Sequence, residues 1–437
     1  MTACPVFDAT SEFYQNIGLL KVTEQASRRH GDIVTLHTRE DRDTYLLNGT
    51  QAVQSWKANI AQLPADFQDV RSNANTTRML LGGDDQSASW AQIGLPLRRA
   101  LSRTRAISES WFEAAATAAT NTFIAEAQGT ITDLRSLTGL WAIRSVAPAI
   151  FGAGVDTIAL NDAMTEMLGF HRFVFNQTAE TLQSIESTRE FKELRACFDN
   201  TVIAGMAVAQ PNDESLMAVL VAALPEGIGH DERLDLLRPL LFRIFLERLN
   251  IDGLGLFWGL VHLTKDTPLA RVLAEERDMV ADAGKRPLAL SVAKEIARLY
   301  PERPFVYRTT SQDLCIDKMT IPAGATVLFS PWLLHRDPRY WQTPARFDGR
   351  RFVREDGPSE LYMPFGLGPM ARKQTEATLC QLASALGEIT SRREFEIAPT
   401  CPPGNLRPFL RAKIGPRGPV PFVFRPSADS ALTEDAG

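Results

Sequence analysis

The chain has 437 residues, of which 44% are hydrophobic and 23% charged, and its net charge is −5. These values are typical of a folded protein with a sizeable core, and they argue against nucleic acid or an anionic membrane as a partner. The five cysteines are scattered without Cys-x-x-Cys spacing, which argues against a disulfide framework and against a structural zinc site.

The N-terminal sequence MTACPVFDATSEF lacks the basic and then apolar segments of a signal peptide. No apolar run in the chain reaches the ~18 residues of a membrane-spanning helix. We therefore expect a cytoplasmic protein without a membrane anchor.

The first predicted element is a β-hairpin over residues 32–49. The segments DIVTLHT and TYLLNG are rich in β-forming residues and flank the charged turn REDRD. After residue 50 the pattern becomes mostly helical, as in residues 102–128, where apolar residues recur at spacings of three and four.

A long central helix is predicted over residues 231–265, within an apolar stretch that ends in Asp-Thr-Pro. Arg, Glu and Asp interrupt this stretch too often for a membrane span, so we expect a buried helix. Beyond residue 300 the segment CIDKMTIPAGATVLFSP predicts strands around a turn.

These elements predict a mainly α fold with small β-sheets, arranged as a single domain over residues 1–425. Its β-rich parts lie near residues 32–49 and 305–330. The small and acidic residues of 426–437 predict a disordered tail.

A series of motifs fills the C-terminal third. Glu295 and Arg298 stand three residues apart in KEIARLYP, a spacing at which two side chains on a helix can pair. PFVYRTT, DKMTIPAGATVLFSPWLLHRDPRYW, PARFDGRRF and PFGLGPM follow in that order. The pair alone carries no information, whereas the ordered series is highly specific.

The series resembles the cytochrome P-450 superfamily, from its ExxR helix through the strands that carry an arginine to the meander and the haem-binding loop. Weaker similarity extends to the central helix and to ASRRHGDIVTLHT at residues 26–38. The resemblance implies the cytochrome P-450 fold and, without an anchor, the soluble bacterial type. It also implies that Glu295 and Arg298 form a structural ion pair that braces the core.

The haem-binding loop departs from the family pattern F-G-x-G-x-R-x-C-x-G, because residues 365–374 read FGLGPMARKQ. The family's propionate-binding arginine becomes Met370 and its cysteine becomes Arg372. A guanidinium offers only donors and cannot ligate iron. Cys380 lies two helical turns further on and is no replacement. We therefore expect no haem, no metal and no oxygenase activity.

The central helix also departs from the family pattern. The resemblance implies an acid–threonine pair above the haem, yet no threonine lies between Thr201 and Thr264. Depending on register, the pair becomes Asn250–Ile251 or Ile251–Asp252, preceded by Glu247–Arg248 or Arg248–Leu249. Two independent losses in the same machinery indicate that oxygen chemistry has been abandoned.

The arginines that the resemblance assigns to the haem propionates are kept in part. Arg308 matches the family's strand arginine, whereas Trp90 is followed four residues later by Gly94, with Arg98 and Arg99 two turns on. Such arginines are either solvated remnants or binders of another anion, such as a carboxylate or diphosphate.

The charges around the former haem position allow two interpretations. Arg372 either pairs with Glu247 or Asp252 and plugs the space, or these residues form a new polar site. In the second case Asp252 and Glu247 are candidate acid and base. The candidate substrate-binding residues are then Arg372, Arg308, Arg98, Arg248 and Asn250. We interpret His262 as a core histidine.

Two functional hypotheses follow. The first is a haem-independent enzyme of specialised metabolism that cyclises, isomerises or eliminates from a hydrophobic terpenoid- or polyketide-type substrate. The second is an accessory protein that activates a partner biosynthetic enzyme such as a glycosyltransferase, as cysteine-less relatives of the family do. The charge gained on the central helix favours the first, and the absence of a terpene-cyclase aspartate cluster speaks against it.

Overall fold

The computed structural model describes part of the chain, and its residues group into two compact units. The described residues are 4–10, 18–37, 44–59, 88–129, 131–174, 187–249, 253–316, 319–355, 357–366, 369–410 and 413–427. The first unit comprises Met1–Arg71, Gly255–Ser391 and Phe395–Val420, and the second comprises Ser72–Leu254, Arg392–Glu394 and Pro421–Gly437. The single domain over 1–425 stays a prediction, and the tail predicted from 426 lies almost wholly outside the described residues.

The fold is mainly helical with small sheets, as the sequence predicts. In the described residues the α-helices, numbered in chain order, are α1 Leu19–His30, α2 Gly49–Ala58, α3 Ala88–Glu126, α4 Leu134–Arg144, α5 Ala147–Phe151, α6 Thr157–Val174, α7 Arg189–Val208, α8 Leu216–Ala223, α9 His230–Arg248, α10 Leu254–Leu263, α11 Thr267–Met279, α12 Pro287–Leu299, α13 Pro331–Leu334 and α14 Pro369–Arg392. Short 3-10 helices are Ala283–Lys285, Ser359–Leu361 and Pro403–Leu406.

The strands are short. In chain order they are β1 Val6–Asp8, β2 Ile33–His37, β3 Thr44–Leu47, β4 Thr132–Asp133, β5 Val306–Thr309, β6 Leu314–Ile316, β7 Met319–Ile321, β8 Thr326–Phe329, β9 Arg393–Ile397, β10 Pro408–Leu410, β11 Ile414–Pro416 and β12 Pro421–Pro426.

The first unit contains a five-stranded sheet in the order β1-β2-β3-β8-β5. The predicted hairpin is present as β2 and β3, which pair antiparallel with Ile33 opposite Leu47. The predicted β-rich part near 305–330 supplies β5 and β8, and β8 pairs in parallel with β3. Apolar side chains of these strands, among them Leu47 and Phe329, form a buried core with Trp56 of α2.

The prediction of a single central helix over residues 231–265 is wrong. The stretch forms α9 and α10, and the two helices are separated at Gly253, whose φ is +78°. A right-handed helix cannot continue through that backbone angle, and an added Cβ would lie 2.0 Å from the carbonyl oxygen of Thr138. The chain therefore needs glycine here, for a reason that its local apolar pattern does not reveal.

Aromatic side chains pack helix α9 into the core of the second unit. Phe242 lies at the centre, with its ring centroid 4.1 Å from that of Phe198 and 4.8 Å from that of Phe151. These rings and Phe245 are fully buried, which makes this face of α9 part of a dense core. Across the described ranges, no helix is long and apolar enough to cross a membrane.

Candidate functional site

Glu295 is held by two arginines inside the first unit. Its carboxylate accepts bonds from Nε (2.7 Å) and Nη2 (2.8 Å) of Arg298, and both side chains are completely buried. Nε of Arg351, itself buried, donates to Glu295 at 3.1 Å. The remaining guanidinium hydrogens find backbone carbonyls, for example of Pro344 at 2.8 Å for Arg298 and of Gln342 at 2.8 Å for Arg351. These contacts are structural, because other groups of the protein neutralise or hydrogen-bond each charge.

His335 joins this cluster to the residues that precede the haem-binding loop. Its Nδ1 donates to the carbonyl of Arg298 at 3.1 Å, and its Nε2 accepts from the backbone N–H of Met363 at 3.0 Å. Burial lowers the pKa of His335 to about 3, so the ring is neutral and both nitrogens are occupied. This histidine is a packing residue.

His262 on α10 is also committed to the core. Its Nε2 lies 3.0 Å from the hydroxyl of Tyr300, and its ring stacks on Phe347 with centroids 4.4 Å apart. Burial lowers the pKa of His262 to about 4. The interpretation of His262 as a core histidine agrees with these contacts.

The segment at the position of the family's haem-binding loop, residues 365–374, includes the start of helix α14. Phe365 is buried, and Gly366 has φ +82°, a conformation that favours glycine. Arg372, at the family's cysteine position, belongs to the first turns of α14, which begins at Pro369. The side chains of residues 369–374 lie outside the description, so the predicted partners of Arg372 are not tested.

The residues at this position do not fit an iron-bound haem. A guanidinium has no lone pair for the metal. Cys380 follows Arg372 by eight residues, which at ~1.5 Å per residue places it ~12 Å further along the helix. The rings of half-buried His262 and of buried His335 are bound to protein atoms. In the described ranges, no group of three or more His, Cys, Asp or Glu side chains could hold a metal ion.

Arg308 keeps its place in the sheet of the first unit. Its Nη1 donates to the carbonyl of Tyr307 at 2.7 Å, and its guanidinium lies 5.8 Å from the ring centroid of Trp56. Arg98 belongs to the second unit, where it is exposed on α3. Anion binding by either arginine stays a prediction.

Arg248 forms an ion pair that the sequence did not suggest. Its Nη1 and Nη2 donate to the two carboxylate oxygens of Glu109 on α3, at 3.0 and 2.5 Å. The guanidinium also lies 4.3 Å from the ring centroid of Phe112. The hydrogen bond from Arg248 holds the pKa of Glu109 below its usual range. Arg248 therefore has a partner within the second unit, and 139 residues separate the two charges in sequence.

The other proposed acid, base and substrate contacts cannot be placed. Asn250 and Asp252 lie outside the described residues, and so does the side chain of Glu247. The structure describes the helices on either side of this segment: α9 ends at Arg248, and α10 begins directly after Gly253.

Comparison with known proteins identifies the same C-terminal region. The family model described as Cytochrome P-450 matches residues 254–371. The chain is 28% identical to 2-hydroxyisoflavanone synthase of Glycyrrhiza uralensis over 176 residues, which cover 36% of this chain and 33% of that protein. It is 29% identical to 4-hydroxyphenylacetaldehyde oxime monooxygenase of Sorghum bicolor over 238 residues, or 48% and 44% of the two chains.

A third relative, steroid 17-alpha-hydroxylase/17,20 lyase of Squalus acanthias, is 23% identical over 58% of this chain and 53% of its own length. The matches thus span about half of these relatives or less. The fold likeness is broader: a zebrafish cytochrome P-450 with abiraterone aligns with a TM-score of 0.67 and 17% identity, covering 93% of this chain and 99% of that one. The ordered motifs, the family match over residues 254–371 and the structural likeness agree: this part of the chain is similar to cytochrome P-450, and the chain has the cytochrome P-450 fold.

Proposed function

We propose that this chain carries no haem and is not a monooxygenase. The observation that carries the proposal is Arg372 in the first turns of α14, where the superfamily has its thiolate ligand. The thiolate holds the iron and favours O–O cleavage, and a guanidinium can do neither. Relatives named as a monooxygenase or a hydroxylase share the scaffold with this chain but not, in this proposal, its chemistry.

The chemistry that we propose is redox-neutral cyclisation, isomerisation or elimination of a hydrophobic, terpenoid- or polyketide-type substrate. Asp252 and Glu247 are the candidate acid and base. The separation of α9 from α10 supports the proposal, because Asp252 then lies in sequence between two helices and not within one continuous helix. Arg372, Arg308 and Arg98 stay candidate contacts for an anionic group, and Asn250 for a polar one.

Haem binding tests the first part of the proposal. Protein expressed with δ-aminolevulinic acid should purify without a Soret band. A variant with Met370→Arg, Arg372→Cys and Gln374→Gly restores the family loop and shows whether those three residues are responsible. Stoichiometric haem in the unchanged protein, with a thiolate-type carbon monoxide band after reduction, would overturn the proposal. Arg372→Cys alone should not restore oxygenation, because the acid–threonine pair is also missing.

Amide variants test the second part. Asp252→Asn or Glu247→Gln removes a proton donor but keeps the shape, so turnover of the pathway intermediate should fall by ~10²-fold or more. Asp231→Asn, an exposed acid at the start of α9, is the matched control and should retain activity. Thermal melting reports on folding. Unchanged turnover in both amide variants would refute the catalytic role of these residues.

A second candidate function is a non-catalytic accessory protein that activates a partner enzyme such as a glycosyltransferase. It is favoured by the ion pair of Arg248 with Glu109, because this pair accounts for one of the charges that suggested a new site. Under this alternative the amide variants leave pathway flux intact. Loss of the whole protein should then abolish the activity of a neighbouring transferase, and the two proteins should co-purify.

A further inference from the structure

Arg336 carries a positive charge that forms no ion pair with a carboxylate of the described residues. It follows α13, and its guanidinium stacks on Trp332, with Cζ 3.3 Å from the ring centroid. Nη2 donates to the carbonyl of Leu299 at the end of α12. Nη1 is shielded from solvent and has no hydrogen-bond acceptor in the described part of the chain. Burial lowers the pKa of Arg336 to about 9, because the charged form loses solvation.

The acids around Arg336 already bind other cations. Glu24 on α1 accepts from Nε1 of Trp332 at 2.9 Å through Oε1 and from Nζ of Lys21 at 2.7 Å through Oε2. Glu295 is held by two buried arginines, as described above. Both carboxylates attract Arg336 from a distance, but neither reaches Nη1.

The surroundings of Arg336 therefore contain more positive than negative charge. His262 responds to the same excess, since burial and then the charges of Lys265 and Arg336 lower its pKa. A water molecule would satisfy the donor Nη1 but would leave the charge uncompensated, whereas an anion does both. Because Nη1 is enclosed by protein atoms, such an anion has to be small.

A second arginine of the first unit provides a contrast. Nη1 of buried Arg286 also lacks an acceptor among the described residues, while Nε and Nη2 donate to the carbonyls of Val280 and Ala281 at 2.6 and 2.8 Å. Here, however, acids are close: Glu276 caps α12 directly after Arg286 through two bonds of 2.8 Å, and Asp282 precedes Arg286 by four residues. Only Arg336 combines an unpartnered donor with an excess of positive charge among these two.

We propose that Arg336 binds a small monovalent anion, with chloride as the natural ligand. The anion accepts a hydrogen bond from Nη1 and compensates the charge of the guanidinium beside Trp332. Since the site exists only in the folded chain, chloride stabilises the first unit in proportion to its binding. The proposal does not depend on the proposed function, because it uses only contacts within the first unit.

Urea unfolding of the full chain in sodium chloride tests the site, with sodium gluconate keeping the ionic strength constant. With a dissociation constant of ~10 mM, chloride at ~100 mM should raise the folding equilibrium constant about tenfold. Arg336→Gln removes the charge and should abolish this response. Arg286→Gln is the matched control and should retain it. Equal responses of the wild type and Arg336→Gln would overturn the proposal, as would a wild-type chain that does not respond to chloride.

Crystals of the unchanged chain grown in sodium bromide give a second test, which stays readable if Arg336→Gln does not fold. Bromide scatters anomalously, so we expect an anomalous peak within hydrogen-bonding distance of Nη1 of Arg336. Density at this place without an anomalous signal would identify a water molecule and refute the anion site. Anomalous peaks at exposed arginines alone would refute it as well.

Discussion

The cluster around Glu295 and the segment around Gly253 follow opposite patterns. In the first, one buried carboxylate is held by two arginines and their backbone acceptors, in a geometry that needs only the protein's own atoms. In the second, a helix expected to be continuous is divided, and Arg248 is paired with a residue far away in sequence. The comparison shows that one charge cluster contains a pair at a spacing that the sequence displays, whereas the other pair depends on a partner that only the fold brings within reach.

The largest effect is expected from Glu295→Gln. This change leaves Arg298 and Arg351 buried without their anion, so the free energy of unfolding should fall by about 3–5 kcal/mol. Urea denaturation measures it. The control Glu193→Gln breaks the exposed pair with Arg189 and should change stability little. Similar losses in both variants would mean that the buried cluster is no more important than a surface pair.

Gly253→Ala should come second. Its Cβ would meet the carbonyl of Thr138, and its φ is unfavourable for alanine, so we expect a loss of about 3 kcal/mol. Gly227→Ala is the matched control, because Gly227 has φ +85° but open space around it. It should lose only about 1 kcal/mol, the cost of the backbone angle alone. Equal melting temperatures of the two variants would contradict the close approach to Thr138.

Acidification should destabilise the first unit through its half-buried His262. The pKa of His262 is about 4 in the folded chain and 6.5 ordinarily, so below pH ~6.5 the unfolded chain binds the proton first. Stability is therefore full above pH ~6.5 and declines towards pH ~4, by about 2 kcal/mol at pH ~5. Urea titrations against pH should show a shallower decline for His262→Gln. The exposed His230→Gln should keep the wild-type slope, and a decline unaffected by His262→Gln would refute this assignment.

The smallest effect concerns Arg248 and Glu109, whose side chains are 32% and 46% exposed. Solvent screens such a pair, so a double-mutant cycle with Arg248→Ala and Glu109→Ala should give a coupling below about 1 kcal/mol. A coupling of several kcal/mol would show that the pair is desolvated like Glu295, and the contrast between the two regions would weaken.

Local patterns predicted single elements, and the ordered motif series predicted the fold. The alternating residues on either side of REDRD gave the β2–β3 hairpin, and the motif series gave Glu295 and Arg298 as a structural pair. The second cation on Glu295 is Arg351, 56 residues further on, which no local spacing indicates. The requirement for Gly253 likewise comes from a carbonyl on another helix.

The contacts of the candidate site were less predictable, because they also depend on residues that are distant in sequence. The role of Arg248 depends on Glu109, a partner that only the packing of α9 near α3 brings within reach. The identity of Arg372 was readable because it occupies a fixed position in an ordered motif series. What its side chain contacts is a question of packing, and a motif cannot answer it.

The cluster around Glu295 has an evolutionary consequence. Arg298 of helix α12 binds the carbonyls of His335 and Pro344, and Arg351 of the irregular segment after α13 binds Glu295 of the same helix. His335 links α12 to Met363. Segments without regular structure are thus anchored by buried side chains of the protein itself. None of these bonds uses residues 365–374, so substitutions in that loop should leave the anchoring intact, and the scaffold can accept them while it continues to fold.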